Sequence, residues 1–256
     1  MVKCWASIID GCSNTLSGEH YISKGLWSGR KLIIVRSFEW LKGEVRTIPI
    51  ERLTARILCT NHNNQLSPLD SEAVEFIKTI AELERVLLAR WKSPQRIFLN
   101  IIRPSVNGTI FERWAVKTAI GCSLVDHKNR LWHQTQKSLG EPPGEIVRAV
   151  YGLSPFSTPM GLYFAHGEED KNFFRDGITV ETLFHPRGGF VGALLRFRGF
   201  RFLVWLTAES YESLDVRDSE GTPFDLQRLL PRGAYRPYDY RFLVGKALSH
   251  ELKFEW

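Results

Sequence analysis

The chain has 256 residues, 43% of them apolar and 24% charged, and a formal charge of +6 at pH 7. That balance supports a buried core and excludes wholesale disorder, in one large domain or two small ones. No apolar run reaches the ~18 residues that span a bilayer, and "MVKCWASIIDGC" lacks the apolar core and cleavage site of a signal peptide, so a cytoplasmic location without a membrane is expected.

Residues 1–66 are rich in Gly, Ser and Asn and short of helical periodicity. They carry nine Lys/Arg against five Asp/Glu, so the basic excess leans toward this end. A loop through Cys12 precedes a short strand over 20–22, then "KLIIVRSF" and "EVRTIPI", both strand-like through their β-branched residues. Cys4, Cys12, Cys59 and Cys122 are expected to be thiols or metal ligands rather than disulfides.

A strong helix begins at Ser67, which can cap it. Pro68 suits the first position, and Asp70 stands where a capping acid would. Phe76, Ile80, Leu83 and Leu87 form one apolar stripe, and "KSP" at 92–94 ends it. "RIFLNII" reads as a strand. A second helix over 109–119 follows, with Ile110, Trp114 and Thr118 along one side and Gly121 past its end. Glu112, Arg113 and Lys117 are read as solvated or paired, and Cys122 as core. "EPPGE" is a loop before a short helix through Val150.

From 161 onward the pattern is β-rich: "GLYFAHG", "GITVETLFHP", "FVGALLRFRG", "RFLVWLTA" and "YDYRFLVGK" are strand candidates between turn residues. "RFRGFRF" suits a hairpin with Phe inside and Arg outside better than a nucleic-acid surface. His127 and His133 lack acids or cysteines at ligand spacing and are read as surface. His166 and His185 carry no motif.

Chemistry concentrates in the first 70 residues. Cys4, Cys12, Cys59 and His62 make a Cys3His set, a standard composition for structural zinc; Cys4 and Cys12 as buried thiols is the alternative. Glu19 and His20 are adjacent. A carboxylate can hold a hard cation such as magnesium, and a neutral imidazole can take a proton from water near pH 7. Asn63 could offer an amide oxygen to the same cation, with Asn64 competing for that place.

The order Cys…Cys…"EHYIS"…"CTNHNN" resembles the zinc-bearing subclass of HNH endonucleases, the ββα-metal nucleases. Ser23 stands where that family often carries a proline. The resemblance covers roughly residues 1–75. It implies that His20 is the general base, that Glu19 and Asn63 hold a catalytic Mg2+ or Mn2+, and that Cys4, Cys12, Cys59 and His62 hold structural Zn2+. It further implies hydrolysis of phosphodiester bonds in nucleic acid, DNA in preference to RNA, in prokaryotic or phage defence or mobile-element biology. A non-catalytic zinc-containing module that binds nucleic acid or protein is the alternative.

The expected architecture is α+β. An HNH-like ββα-metal domain over 1–95 precedes a mixed helix and antiparallel-sheet domain over 96–256. The second supplies recognition, a protein partner surface or a homo-oligomer interface.

Overall fold

The computed structural model of the chain describes residues 4–27, 29–35, 38–92, 104–126, 131–133, 137, 140–165, 177–186, 189–197, 200–210, 229–230, 238–244 and 247–256. The architecture is α+β with mostly antiparallel sheets.

Strand β1 (Leu16–His20) is followed by a hairpin of β2 (Leu32–Val35) and β3 (Arg46–Pro49), and then by β4 (Thr54–Cys59). β1 pairs antiparallel with β4, matching Leu16 to Cys59, Glu19 to Ala55 and His20 to Thr54. β2 and β3 pair only with each other among the described residues. The first strand therefore lies earlier than the sequence predicts. Tyr21 and Ile22 belong to the bend after it, where their apolar side chains are buried in the core. β4 is an addition to the predicted elements.

A short helix, α1 (Thr60–Gln65), leads after Leu66 into α2 (Ser67–Lys92). The capping predicted for Ser67 and Asp70 does not form. Only Leu66 separates Ser67 from α1, the Ser67 carbonyl accepts a bond from Ser71 Oγ, and the Asp70 carboxylate is drawn away by a buried lysine. α2 is described as far as Lys92, and the end predicted at "KSP" adjoins residues outside the described ones. "RIFLNII" and the predicted domain boundary at 95 lie outside the described residues.

β5 (Ser105–Asn107) feeds α3 (Gly108–Asp126), capped by Asn107 Oδ1 accepting from Ile110 N at 3.1 Å. α3 runs past Gly121, which the sequence reading placed beyond its end. That glycine is there for closeness: a Cβ on it would lie 2.9 Å from Tyr21 Cβ. α3 is buried on nearly every side, so its polar residues need internal partners. Glu112 finds one in the Leu162 amide, at 2.9 Å. Glu112 and Lys117 are both buried, which corrects the solvated option.

α4 (Gly144–Val150) precedes β6 (Gly161–Ala165), β7 (Ile178–Phe184), β8 (Phe190–Phe197), β9 (Phe200–Trp205), β10 (Leu229–Leu230), β11 (Tyr238–Val244) and β12 (Ala247–Glu255). Five of these form an antiparallel sheet in the order β10-β6-β9-β8-β7, and β12 pairs antiparallel with β11 and parallel with β5. In the β8–β9 hairpin Phe197, Phe200 and Phe202 are buried while Arg196 pairs with Glu181 at 3.2 Å. "RFRGFRF" is thus a core hairpin.

One aromatic cluster joins the elements. The Phe76 ring of α2 packs against Phe111 (4.6 Å), Phe197 (5.6 Å), Phe200 (5.6 Å) and Phe254 (5.8 Å). A smaller cluster of Tyr21, Ile33, Val35, Leu41, Ile48 and Leu53 lies under the β2–β3 hairpin. Among the described residues no helix is long and apolar enough to cross a membrane.

Candidate metal centre and the adjoining buried charges

The β1–β4 pairing brings the two ends of the cysteine motif together, and the Thr60 amide donates to the Thr15 carbonyl at 2.9 Å. Sγ of Cys4, Cys12 and Cys59 then lie 3.3, 3.6 and 3.4 Å from one atom, His62 Nδ1. All four ligand atoms fall within 4.8 Å of one another. A tetrahedral zinc with Zn–S of about 2.3 Å and Zn–N of about 2.0 Å sets S···N near ~3.5 Å. The set can hold a structural metal such as zinc.

Local structure prepares each ligand. Cys59 caps α1, and its sulfur accepts bonds from the amides of His62 (3.5 Å) and Ser13 (3.3 Å). The three-residue step to His62 puts both on one helix face. His62 Nε2 lies 3.1 Å from the Asp10 carbonyl. A carbonyl can only accept, so Nε2 carries the proton and Nδ1 presents its lone pair. The long Cys4–Cys12 spacing has a use here, because the loop between them supplies that carbonyl. The loop turns at Gly11, with φ +92°, and the Gly11 carbonyl accepts from Asn61 Nδ2 at 2.6 Å.

Burial pushes the Cys4 thiol up to about 12. Burial also acts upward on Cys59, but its amide hydrogen bonds outweigh it and hold the thiol down to about 6. Of the three thiols in the set, Cys59 is therefore the one whose surroundings favour the thiolate. Tyr151, just after α4, donates its hydroxyl to the His62 carbonyl at 3.1 Å and sets its ring edgewise to the imidazole at 5.4 Å.

Glu19, the acid beside His20, is buried to 4% exposure. Its Oε1 lies 2.6 Å from Lys117 Nζ, and the same ammonium lies 2.8 Å from both Asp70 oxygens. Ser23 Oγ donates to Asp70 Oδ1 and accepts from Trp114 Nε1 at 2.8 Å. Ser23 thus links α2 to α3. Burial raises the Glu19 pKa against the pull of Lys117.

His20 is half-buried, and its Nε2 is shielded from water without a hydrogen bond. Burial, and then Lys24, lower its pKa, so it is neutral at pH 7. Neighbours along a strand point to opposite faces, and burial separates Glu19 from His20 accordingly. Asp70 and Lys117 nonetheless act electrostatically on both. Asn63 is half-buried in α1, its backbone carbonyl accepting from Leu66 N at 3.1 Å.

Asp70 and Lys117 are the residues that sequence reasoning missed. Lys117 had a signal: it is the one charge within "WAVKTAIG", an apolar stretch in which a lysine requires an internal anion. His133 is also corrected. Its side chain is 13% exposed, lies 3.3 Å from Glu209 Oε1 and stacks on His185 at 4.2 Å. His127 and His166 lie outside the described residues.

No protein-family model, curated protein or solved structure matches the chain.

Proposed function

We propose that the chain is an HNH-type, metal-dependent endonuclease in which structural zinc on Cys4, Cys12, Cys59 and His62 fixes the strand pair that presents His20. The observation that carries this reading is the state of His20. It is a neutral imidazole with an unengaged Nε2, on a strand whose register is tied to the metal centre through Leu16 and Cys59.

Substrate binding has to open the covered His20 Nε2 to water; the imidazole then takes a proton from that water, and the water oxygen bonds to phosphorus as the ester P–O bond breaks. The leaving oxygen acquires a proton from solvent. A divalent cation held by Glu19 and Asn63 would supply positive charge to the phosphate and the leaving oxygen. Glu19 fits that role only in part, because it lies on the face of the strand opposite His20. Its carboxylate already carries Lys117, so a cation has to share it or displace the ammonium.

That same contact favours a second reading, a zinc-containing module that binds nucleic acid without cutting it. One assay separates the two. Purified protein is incubated with Mg2+ or Mn2+ and supercoiled DNA, linear DNA and RNA. Nicking by the wild type, abolished in a folded His20→Ala variant, is the expected result. Binding without cleavage of any substrate establishes the module instead.

A further inference from the structure

The β2–β3 hairpin interrupts the β1–β4 pair and has an unusual outer surface. Its inner face buries Ile33, Val35 and Ile48. A hairpin covered on one face ordinarily turns polar residues to water on the other. Here Leu32, Ile34 and Val45 are 58%, 65% and 63% exposed. Large aliphatic side chains grouped on a water-facing ribbon mark a surface that something covers.

Charge decides what covers it. Residues 24–56 hold eight Lys/Arg and three Glu, an excess of five against +6 for the whole chain. Two of the glutamates are already engaged, Glu44 by Arg46 at 2.7 Å and Glu51 by Lys24 at 3.1 Å. Lys31, Lys42, Arg52 and Arg56 are exposed and make no ion pair among the described residues. A second copy laid on this face would bring like charges together, which is costly. A polyanion has the opposite sign.

We propose that the β2–β3 ribbon docks in the major groove of duplex DNA. The B-form major groove is about 12 Å wide, admits a two-stranded β-ribbon and offers thymine methyls to aliphatic side chains. The flanking lysines and arginines neutralise phosphates. The A-form groove of duplex RNA is too deep and narrow for such a ribbon, so the surface selects DNA. The placement deepens the nuclease reading, since the ribbon is the next pair of strands in the chain after the strand that carries His20, with a short 3-10 helix over 24–27 between them. The docking itself does not depend on cleavage.

The test uses full-length His20→Ala protein, which cannot consume its ligand, and fluorescence anisotropy on a labelled 20-base-pair DNA duplex and its RNA counterpart. Ile34→Ser adds no charge and lies on the exposed face, so its thermal unfolding should match the parent. It should weaken DNA binding about tenfold, as expected when one aliphatic side chain is no longer buried against the DNA. Lys31→Ala with Lys42→Ala should reduce the slope of log K against log salt by about 0.9 for each phosphate no longer neutralised. Unchanged DNA affinity in both variants, or equal affinity for duplex RNA, overturns the proposal. So does a dimer by light scattering that Ile34→Ser converts to monomer, because the face is then an interface between copies. DNA binding that needs the ribbon, in a wild type that cuts nothing, sinks the nuclease reading alone. Cleavage by a wild type whose ribbon variants bind normally sinks the ribbon alone.

Discussion

Lys117 Nζ lies 2.6 Å from Glu19 Oε1, and both side chains are almost wholly buried, at 3% and 5% exposure. An ammonium from the centre of α3 thus neutralises the carboxylate expected to receive a divalent cation. Asp70 joins them from α2, at 2.8 Å and with its side chain 34% exposed. The three charges tie β1, α2 and α3 into one unit beside His20.

Lys117→Met should be strongly destabilising. It leaves Glu19 as an uncompensated buried charge, a change that typically costs about 3–5 kcal/mol. Asp70 adds less, because solvent reaches it. Burial already raises the Glu19 pKa, and without Lys117 nothing opposes that rise. Glu19 then binds protons more readily folded than unfolded, so the stability deficit of the variant should shrink as pH falls below the raised value. Urea unfolding of wild type and variant at several pH values checks both the size and the trend. A deficit that is small and independent of pH would remove the buried pair from the account.

The Cys3His set should hold one equivalent of zinc per chain, measured by elemental analysis. Cys59→Ser should lose it together with cooperative unfolding. Cys59 is both a ligand and the α1 cap, and its sulfur takes the Ser13 and His62 amides. Chelation of the wild type should have the same effect, reversed by added zinc. Folded protein that contains no metal would refute the structural role.

The candidate ligands were legible in the sequence because three thiols and an imidazole make a zinc-like set, with Cys59 and His62 at knuckle spacing although Cys4 and Cys12 stand wider apart than usual. So were α2, through Phe76, Ile80 and Leu83 at one face, and the strands from β6 to β9, through β-branched and aromatic residues between turns. The Glu19–Lys117–Asp70 network was not. Its members lie far apart in the chain, and no local periodicity links Asp70 of α2 to Lys117 of α3. Asp70 also satisfied a local rule, standing where a capping acid would, and that concealed its tertiary partner. Gly121 misled for a related reason. It looked like a helix stop, but it keeps α3 close to Tyr21, and only packing reveals that.

The acidic limb of any cleavage reaction should lie below the ordinary imidazole value of 6.5, because burial and Lys24 lower the His20 pKa. Lys24→Glu replaces a repelling charge with an attracting one and should move that limb upward. Stability should follow the same group. Unfolded His20 takes a proton as pH falls through 6.5, while folded His20 resists until lower pH. The contribution is therefore complete above 6.5 and lost as pH falls toward the folded value. Comparing the pH dependence of unfolding in wild type and His20→Asn isolates it. Identical pH profiles for the two proteins would show that His20 is not held neutral by its surroundings.

Tyr151→Phe tests whether the rest of the chain supports the metal centre. The hydroxyl donates to the His62 carbonyl at 3.1 Å, while the ring lies 5.4 Å from the imidazole. Phenylalanine keeps the ring and removes only the hydrogen bond, which is worth about 0.5–1.5 kcal/mol net. The carbonyl loses a partner without gaining a clash, so the fold should survive. His62 is the one nitrogen in the Cys3His set; the Asp10 carbonyl accepts from its ring, while Tyr151 holds its backbone carbonyl and packs edgewise on the ring. Zinc release to a competing chelator should therefore be faster in the variant, by about 2–10-fold, the factor to which the lost hydrogen bond corresponds. Tyr151→Ala, which also removes the ring packing, should release faster still. If Tyr151→Phe releases zinc at the wild-type rate while its unfolding free energy falls, Tyr151 stabilises the fold without orienting the ligand.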